Sequence, residues 1–591
     1  MNLRNLGRFR ILLPRLIGKA AISVFIVLLA ASAIGQAPAP NAPSSAPPAQ
    51  PAAPTQATPP TTAAPPAIRV TTHLVQVNVV VEDKKGNPVT DLTKDDFTLL
   101  DGNKPQQISV FSMQANHLTP GQAAPAPRNQ FTNRFEQRPG VPTSVTVVLF
   151  DALNTHFSDL AYARQELLKF IGQIQPEDRV AIFGLSYSLY VLQDFTNDQQ
   201  ALISAVKNST TPESAHAEAT DVQASDTGDE QLDEFLDSMN QMASDFYNRD
   251  RAIRTADALT AIANYIGRLP GRKNLIWVTA SFPFSINMDA SQSSSTSQTA
   301  GEPDREMFND QIEEAAQALN NANVAVYPVD ARGLMGPATF DARQRSSPVA
   351  RATGRGQRPP TGAPPQGNFD TMNELAERTG GRAYYNTNDI AGSVRKAIDD
   401  SRVTYLLGYY PDHGQWNGKF REIKVKVNRP DVDVRYRRGY LAISDAVPTP
   451  VKRHVLLQDA LDSPVDSTTI GMTVTATLAG AQGTQSVHVR IQMDSQAIQL
   501  LPEADHWNAA LDFLMSQWDD KNKVLKAEVR TSQIQITQAT REAWNDDGFD
   551  LQFDLVLLPG ASRIRFAACD EQSGATGSVT IPIKNLAADS Q

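Results

Sequence analysis

The sequence predicts an α/β fold class: a doubly wound, mostly parallel sheet flanked by an amino-terminal β unit and a carboxyl-terminal β-sandwich. Three observations carry this expectation. Between Val145 and Asp399, continuous apolar runs alternate with helical patterns, as strand–helix–strand units do. One run, Val145 to Phe150, ends abruptly in Asp151, Asn154 and Thr155, as a buried central strand does where it leaves its sheet. On both sides the chain turns to short β-branched segments separated by turn residues.

Taken in order, the chain begins with Arg4, Arg8, Arg10, Arg15 and Lys19, followed by the apolar run Ala20 to Ala31 and small residues at 31, 33 and 35. Residues 1–35 therefore read as a secretory signal, with an uncleaved anchor as the other reading. Residues 36–67 are Ala, Pro, Thr and Gln with almost no charge, a composition that cannot bury a core and reads as a disordered tether. No later run approaches the length of a bilayer span, so no membrane crossing is expected after signal removal.

Residues 68–115 read as a small Ig-like β unit, with Val75, Val77, Val79 and Val81 in alternation and a turn at Gly86-Asn87-Pro88. A Pro-rich loop follows. Residues 141–400 hold the alternating region, with strands expected at 145–150, 179–185, 189–193, 274–279 and 324–329. Helices are expected at 160–174, 252–269, 306–321 and 372–379, the last stopped by Gly380-Gly381. Two insertions, 208–233 (acidic) and 333–368 (Gly, Pro and Arg), read as mobile loops. A β extension at 402–445 and a β-sandwich at 451–591 complete the chain.

A length of 591 residues implies several domains. The net charge of −10 argues against a nucleic-acid partner, which needs a basic face. Cys569 is the single cysteine, so no internal disulfide is expected, and its apolar surroundings suggest a buried, inert thiol.

The order from Val145 to Asp399 resembles a von Willebrand factor A domain. The segments Leu375 to Asn386, Tyr405 to Pro411, Arg437 to Tyr440, Lys94 to Phe97 and Pro270 to Trp277 are similar to a VWFA-related family abundant in Acidobacteria. The resemblance covers roughly residues 68 to 445. It implies a metal-ion-dependent adhesion site: Asp-x-Ser-x-Ser from one loop, a Thr from a second and an Asp from a third. Asp151 and Thr155 match the ends of the first motif. Leu153 replaces its middle serine, and Asn154 lies one residue out of phase with a carbonyl that could ligate. Thr255 is the nearest candidate for the second loop. The third loop reads Thr279-Ala280-Ser281-Phe282-Pro283, so its Asp is missing and Ala280 removes an expected ligand. The metal candidates are thus Asp151, Asn154, Thr155 and Thr255, with Mg²⁺ or Mn²⁺ as the cofactor such oxygens suit. The bland reading of Asp151 and Thr155 is a helix-capping and turn-closing pair.

No catalytic residue is expected. The eight histidines include no His-x-x-x-His spacing, there is no Gly-x-Ser-x-Gly elbow or phosphate loop, and His156 reads as a loop residue. The implied function is an exported, non-catalytic binding protein, periplasmic, envelope-bound or extracellular, that meets a protein or cell-envelope ligand through the top of the A-type domain. An envelope scaffold without metal is the second reading and a hydrolase the third.

Overall fold

A computed structural model describes residues 10–11, 74–115, 129–134, 144–209, 229–269, 271–281, 315–334, 367–400, 402–412, 416–442, 447–479, 485–503 and 505–586. The segments expected to be a signal (1–35, residues 10–11 apart) and a tether (36–67), and the greater part of both expected insertions, lie outside the described residues. None of the described helices is long and apolar enough to cross a membrane.

The strands in chain order begin with β1 (Arg10–Ile11), β2 (Val75–Asp83), β3 (Phe97–Asp101), β4 (Lys104–Gln106), β5 (Val110–Ala115) and β6 (Gln130–Thr132). The α/β region follows: β7 (Ser144–Asp151), helix α1 (Phe157–Ile171), β8 (Val180–Leu185), β9 (Leu189–Thr196), α2 (Gln199–Asn208), α3 (Glu230–Ile266), β10 (Arg272–Thr279), β11 (Val324–Asp330), α4 (Gly367–Thr379) and α5 (Ile390–Asp399). Then come β12 (Val403–Tyr409), β13 (Phe420–Val427), β14 (Val432–Arg435) and β15 (Gly439–Leu441). The last part comprises α6 (Pro450–Asp462), β16 (Met472–Ala479), β17 (Ser486–Met493), β18 (Leu501–Glu503), β19 (His506–Trp518), β20 (Val524–Thr537), α7 (Gln538–Asp547), β21 (Phe549–Val556), β22 (Arg563–Asp570) and β23 (Thr576–Pro582).

The expected fold class is corrected by the sheets. Four of the five are antiparallel, and the fifth, ordered β11-β10-β7-β8-β9, is mixed. Its last pair, β8 with β9, is an antiparallel hairpin closed at Ser186 and Ser188. A doubly wound, mostly parallel sheet is therefore not the class of this molecule, which is predominantly antiparallel β. The strand–helix alternation in the sequence is confined to the middle of the chain. The antiparallel strands before and after it outnumber it, and antiparallel pairing needs no crossover helix to announce it.

The mixed sheet is buried on both faces. Val145, Val147, Leu149, Leu275 and Trp277 pack on one side against Leu259, Ile262 and Ile266 of α3. Val148, Phe150, Ile276 and Val278 pack on the other against Leu167 and Phe170 of α1 and Val394 of α5. Each such side chain contributes roughly 1.5–3 kcal/mol on leaving water. This double burial is why β7, β8, β10 and β11 read as continuous apolar runs.

Strands from before and after the α/β region pair with each other. β12 lies between β2 and β5, and β14 lies on the other edge of β2. A facing sheet has the order β15-β13-β3-β4. Val77, Leu99, Tyr405, Leu407, Tyr409 and Tyr440 form the core between the two sheets. The carboxyl-terminal sandwich sets β6, β16, β17 and β21 against β19, β22 and β23. β20 extends the second of these sheets, and β1 adds to the edge of β21.

Asn133 ties the segment after β6 into this sandwich. Its amide donates to the carbonyls of Ser467 at 2.7 Å and Ile470 at 2.9 Å, and its oxygen accepts from Met472 N–H at 2.6 Å. Asn133→Ala leaves three buried groups without a partner, each costing roughly 1–3 kcal/mol before relaxation. We expect a lower urea midpoint for the variant and faster protease cleavage near residues 129–134. An unchanged midpoint would mean that Asn133 does not hold this segment.

Candidate functional site

All eight residues of β7 are buried, and Asp151 is its last. The chain then turns sharply, held by Ala152 and Leu153 N–H donating to Leu185 O at 2.8 and 3.0 Å. His156 is the residue before α1, and its side chain makes no capping hydrogen bond. These contacts place Asp151, Asn154 and Thr155 at the carboxyl end of the central strand, where sheets with parallel strands carry their polar loops.

Asp151 and Thr255 are fully buried, with Asn154 at 2% and Thr155 at 1% exposure. The structure brings three of the four sequence candidates into one hydrogen-bonded chain. Asn154 N–H donates to Asp151 Oδ1 at 3.0 Å, and the Asn154 amide donates to Asp151 Oδ2 at 2.8 Å and to Thr255 Oγ1 at 3.0 Å. Thr255 in turn donates to Arg251 O, one turn earlier in α3, at 2.7 Å. Thr155 faces elsewhere: its hydroxyl accepts from Ala280 N–H at 3.0 Å. Ser281 donates to Asn154 O at 3.0 Å, so the loops after β7 and β10 are stitched together twice.

Sequence reasoning missed Trp277. Its indole N–H donates to Asp151 Oδ2 at 2.9 Å from the neighbouring strand β10. The signal was present, because a Trp inside an otherwise apolar strand needs a partner for its N–H, and Asp151 stands two residues beyond Leu149, the β7 residue paired with Trp277. Ser281, in the loop from which the expected Asp is missing, has a donor role that the sequence reading did not assign.

Burial pushes the Asp151 carboxyl above its ordinary value of 3.8, while hydrogen bonds from Asn154, Trp277 and Thr279 pull it back. A divalent cation asks for several oxygens converging on one point. Here the atom lying between Asp151 Oδ2 and Thr255 Oγ1 is the Asn154 amide nitrogen, a donor. Asn154 Oδ1, buried without a hydrogen-bond partner, is the side-chain oxygen of this set left open. Held this way, the residues offer a cation one unengaged oxygen rather than a cage. Among the described residues there is no cluster of three or more His, Cys, Asp or Glu side chains suited to a metal.

Three large apolar or aromatic side chains stand exposed at this end of the sheet. Phe157 at the start of α1 is 58% exposed, Tyr187 in the β8–β9 hairpin 47%, and Leu334 after β11 64%. Arg254 of α3 lies over the Tyr187 ring at 5.9 Å and donates to Tyr187 O at 2.6 Å.

Two consequences are measurable. Asp151→Ala strips the acceptor from three buried N–H groups, each costing roughly 1–3 kcal/mol, and a lower unfolding midpoint with altered Trp277 fluorescence is expected. The raised Asp151 pKa means that the folded state holds a proton which the unfolded chain releases first, from about its ordinary 3.8 upward. Stability contributed by that proton is full below this value and is lost as pH rises toward the folded pKa. Urea midpoints across acidic pH should fall more steeply for the wild type than for Asp151→Asn, and parallel curves would remove Asp151 as the titrating group.

No family model matches the chain, and no curated protein matches it. Among solved structures, an aerotolerance-related membrane protein from Bacteroides fragilis is similar at 11% identity over 44% of this chain and 98% of its own, with a TM-score of 0.22. A von Willebrand factor type A protein from Catenulispora acidiphila is similar at 9% identity over 82% of this chain and 75% of its own, with a TM-score of 0.22. The PilB minor pilin from Streptococcus sanguinis is similar at 10% identity over 56% of this chain and 89% of its own, with a TM-score of 0.23. Scores of this size establish neither a common fold nor a function.

Proposed function

We propose that the protein is an exported, non-catalytic binding protein that meets a protein or cell-envelope ligand at the carboxyl end of the mixed sheet. One observation carries this reading. Phe157 at the first position of α1, Tyr187 in the β8–β9 turn and Leu334 in the segment after β11 stand exposed at that end, above a buried platform whose polar groups bond to one another. Exposed aromatic side chains on a rigid base have the character of binding hot spots, because little ordering entropy remains to be lost on contact. A reaction centre needs oxygens and nitrogens free to meet a substrate, whereas here the carboxylate and hydroxyls are engaged internally.

The metal set Asp151, Asn154, Thr155 and Thr255 enters this reading as a degenerate adhesion site that works as a structural knot. The Asn154 amide takes the central place that a Mg²⁺ or Mn²⁺ ion fills in an intact site. Binding then depends on the apolar rim and not on a cation, which brings the mechanism close to a metal-free scaffold.

Binding of the immobilised protein to a purified envelope fraction of the producing cell tests the proposal. Phe157→Ala and Tyr187→Ala should each weaken capture by roughly tenfold to thirtyfold, and EDTA should leave it unchanged. Capture that EDTA abolishes, Mg²⁺ restores and Asp151→Ala lacks would assign a cation-dependent site instead. Capture insensitive to both rim substitutions would remove the rim.

A further inference from the structure

Helix α3 spans 37 residues, and its two halves differ in kind. From Arg251 to Ile266 it packs on the mixed sheet, with Ala252, Ala256, Leu259, Ile262 and Ile266 buried. From 229 to 250, no described side chain is buried. Asp229 caps the start, accepting from Gln231 and Leu232 N–H at 3.0 and 3.3 Å. At about 1.5 Å per residue, this amino-terminal half is an arm of roughly 30 Å. It leaves the molecule beside Thr255, at the end of the sheet that carries the buried knot.

The arm exposes Leu232 (45%), Phe235 (58%), Met239 (50%), Met242 (62%) and Phe246 (66%). Their spacing alternates three, four, three, four, which is the a/d pattern of a coiled coil. A seam at this period stays in line only with another helix, whose side chains enter the holes between these knobs. The middle of the seam is Met, a side chain that adapts to unlike partners.

Charge selects the kind of helix. Residues 230–248 contain Glu230, Asp233, Glu234, Asp237 and Asp245 and no Lys or Arg. A second copy of the arm would double those carboxylates along one rod, and each chain already carries a net charge of −10. A basic helix meets opposite charge along the whole length. We propose that the arm is a docking rod for a basic amphipathic helix of a partner protein, laid along the seam Leu232, Phe235, Met239, Met242 and Phe246. This surface is separate from the Phe157 and Tyr187 rim.

The test uses the full chain and two synthetic four-heptad peptides with Leu at a and d, one carrying Lys and Arg elsewhere and one carrying Glu. Fluorescence anisotropy should show binding of the basic peptide alone, weakened in about 0.5 M salt. The triple variant Phe235→Gln, Met239→Gln, Phe246→Gln replaces exposed side chains with helix-compatible ones and should fold with unchanged circular dichroism. It should lose about tenfold or more in affinity. Phe157→Ala and Tyr187→Ala should retain peptide binding, and their loss of it would move the site to the rim. Equal affinity of wild type and triple variant, or binding of neither peptide, overturns the proposal. A wild-type dimer in sedimentation that the triple variant dissolves would assign the seam to a second copy. Binding of wild type, but not the variant, to phosphatidylcholine vesicles would assign it to a lipid surface.

Discussion

The architecture depends on one strand arriving late. β12 lies hydrogen-bonded between β2 and β5, so the first sandwich is incomplete until the chain has passed through the whole α/β region. The strand also brings polar groups that must be satisfied inside. Tyr405 donates to Val89 O at 2.9 Å and accepts from Leu92 N–H at 3.2 Å. Tyr409 and Tyr440 both donate to Asp101 Oδ2 at 2.9 Å. A buried carboxylate and two phenols that lacked each other would each face a desolvation cost of several kcal/mol. Together they specify which strands meet. The α/β region is thereby held at both ends, and Arg435 reinforces the junction by pairing with Asp400 at the end of α5 and with Glu82 of β2 at 2.6 Å.

The same logic of internal satisfaction governs the Asp151 knot. Carboxylate, amide and hydroxyl lie below the surface, and each is stabilised by a neighbour from a different element: β10 through Trp277, α3 through Thr255 and the loop after β10 through Ser281. Removing any member leaves the others exposed to an unfavourable environment, so the knot fixes the relative positions of the loops after β7 and β10 and the base of the α3 arm. Rigidity here and apolar exposure just above it are complementary properties of one surface.

Much of this could be read from residue types and spacing, because burial on two faces writes itself as an apolar run. β7, β8, β10 and β11 were legible for that reason, as was the polar break at Asp151. Pairing partners were not legible. Val75 to Val81 and Tyr405 to Tyr409 each read as strands, but nothing local states that they are neighbours, since antiparallel register between distant segments is decided by the core they share. For the same reason the weight of antiparallel structure was underestimated and the fold class misjudged. At the candidate site, the sequence pointed to Asp151 and Thr155 by motif and to Asn154 and Thr255 by proximity to it, whereas Trp277 was hidden in a strand whose other residues explain themselves by burial. The α3 arm was obscured by composition: its first residues, 230–233, fall in the acidic stretch 208–233 that reads as a mobile loop, and the seam shows only when counted at helical spacing.

The pairing of Ala115 with Val403 places the two ends of everything between them side by side. Sequence separation of that size makes closure slow, because loop entropy must be overcome before the contact yields anything. During synthesis, β2 and β5 emerge with open edges long before β12 exists to fill the gap between them. Such edges invite pairing with other chains. The nascent chain therefore carries its greatest aggregation hazard in its first folded unit and sheds it only when the middle of the protein is complete, which makes the α/β region a timer for the sandwich that encloses its ends.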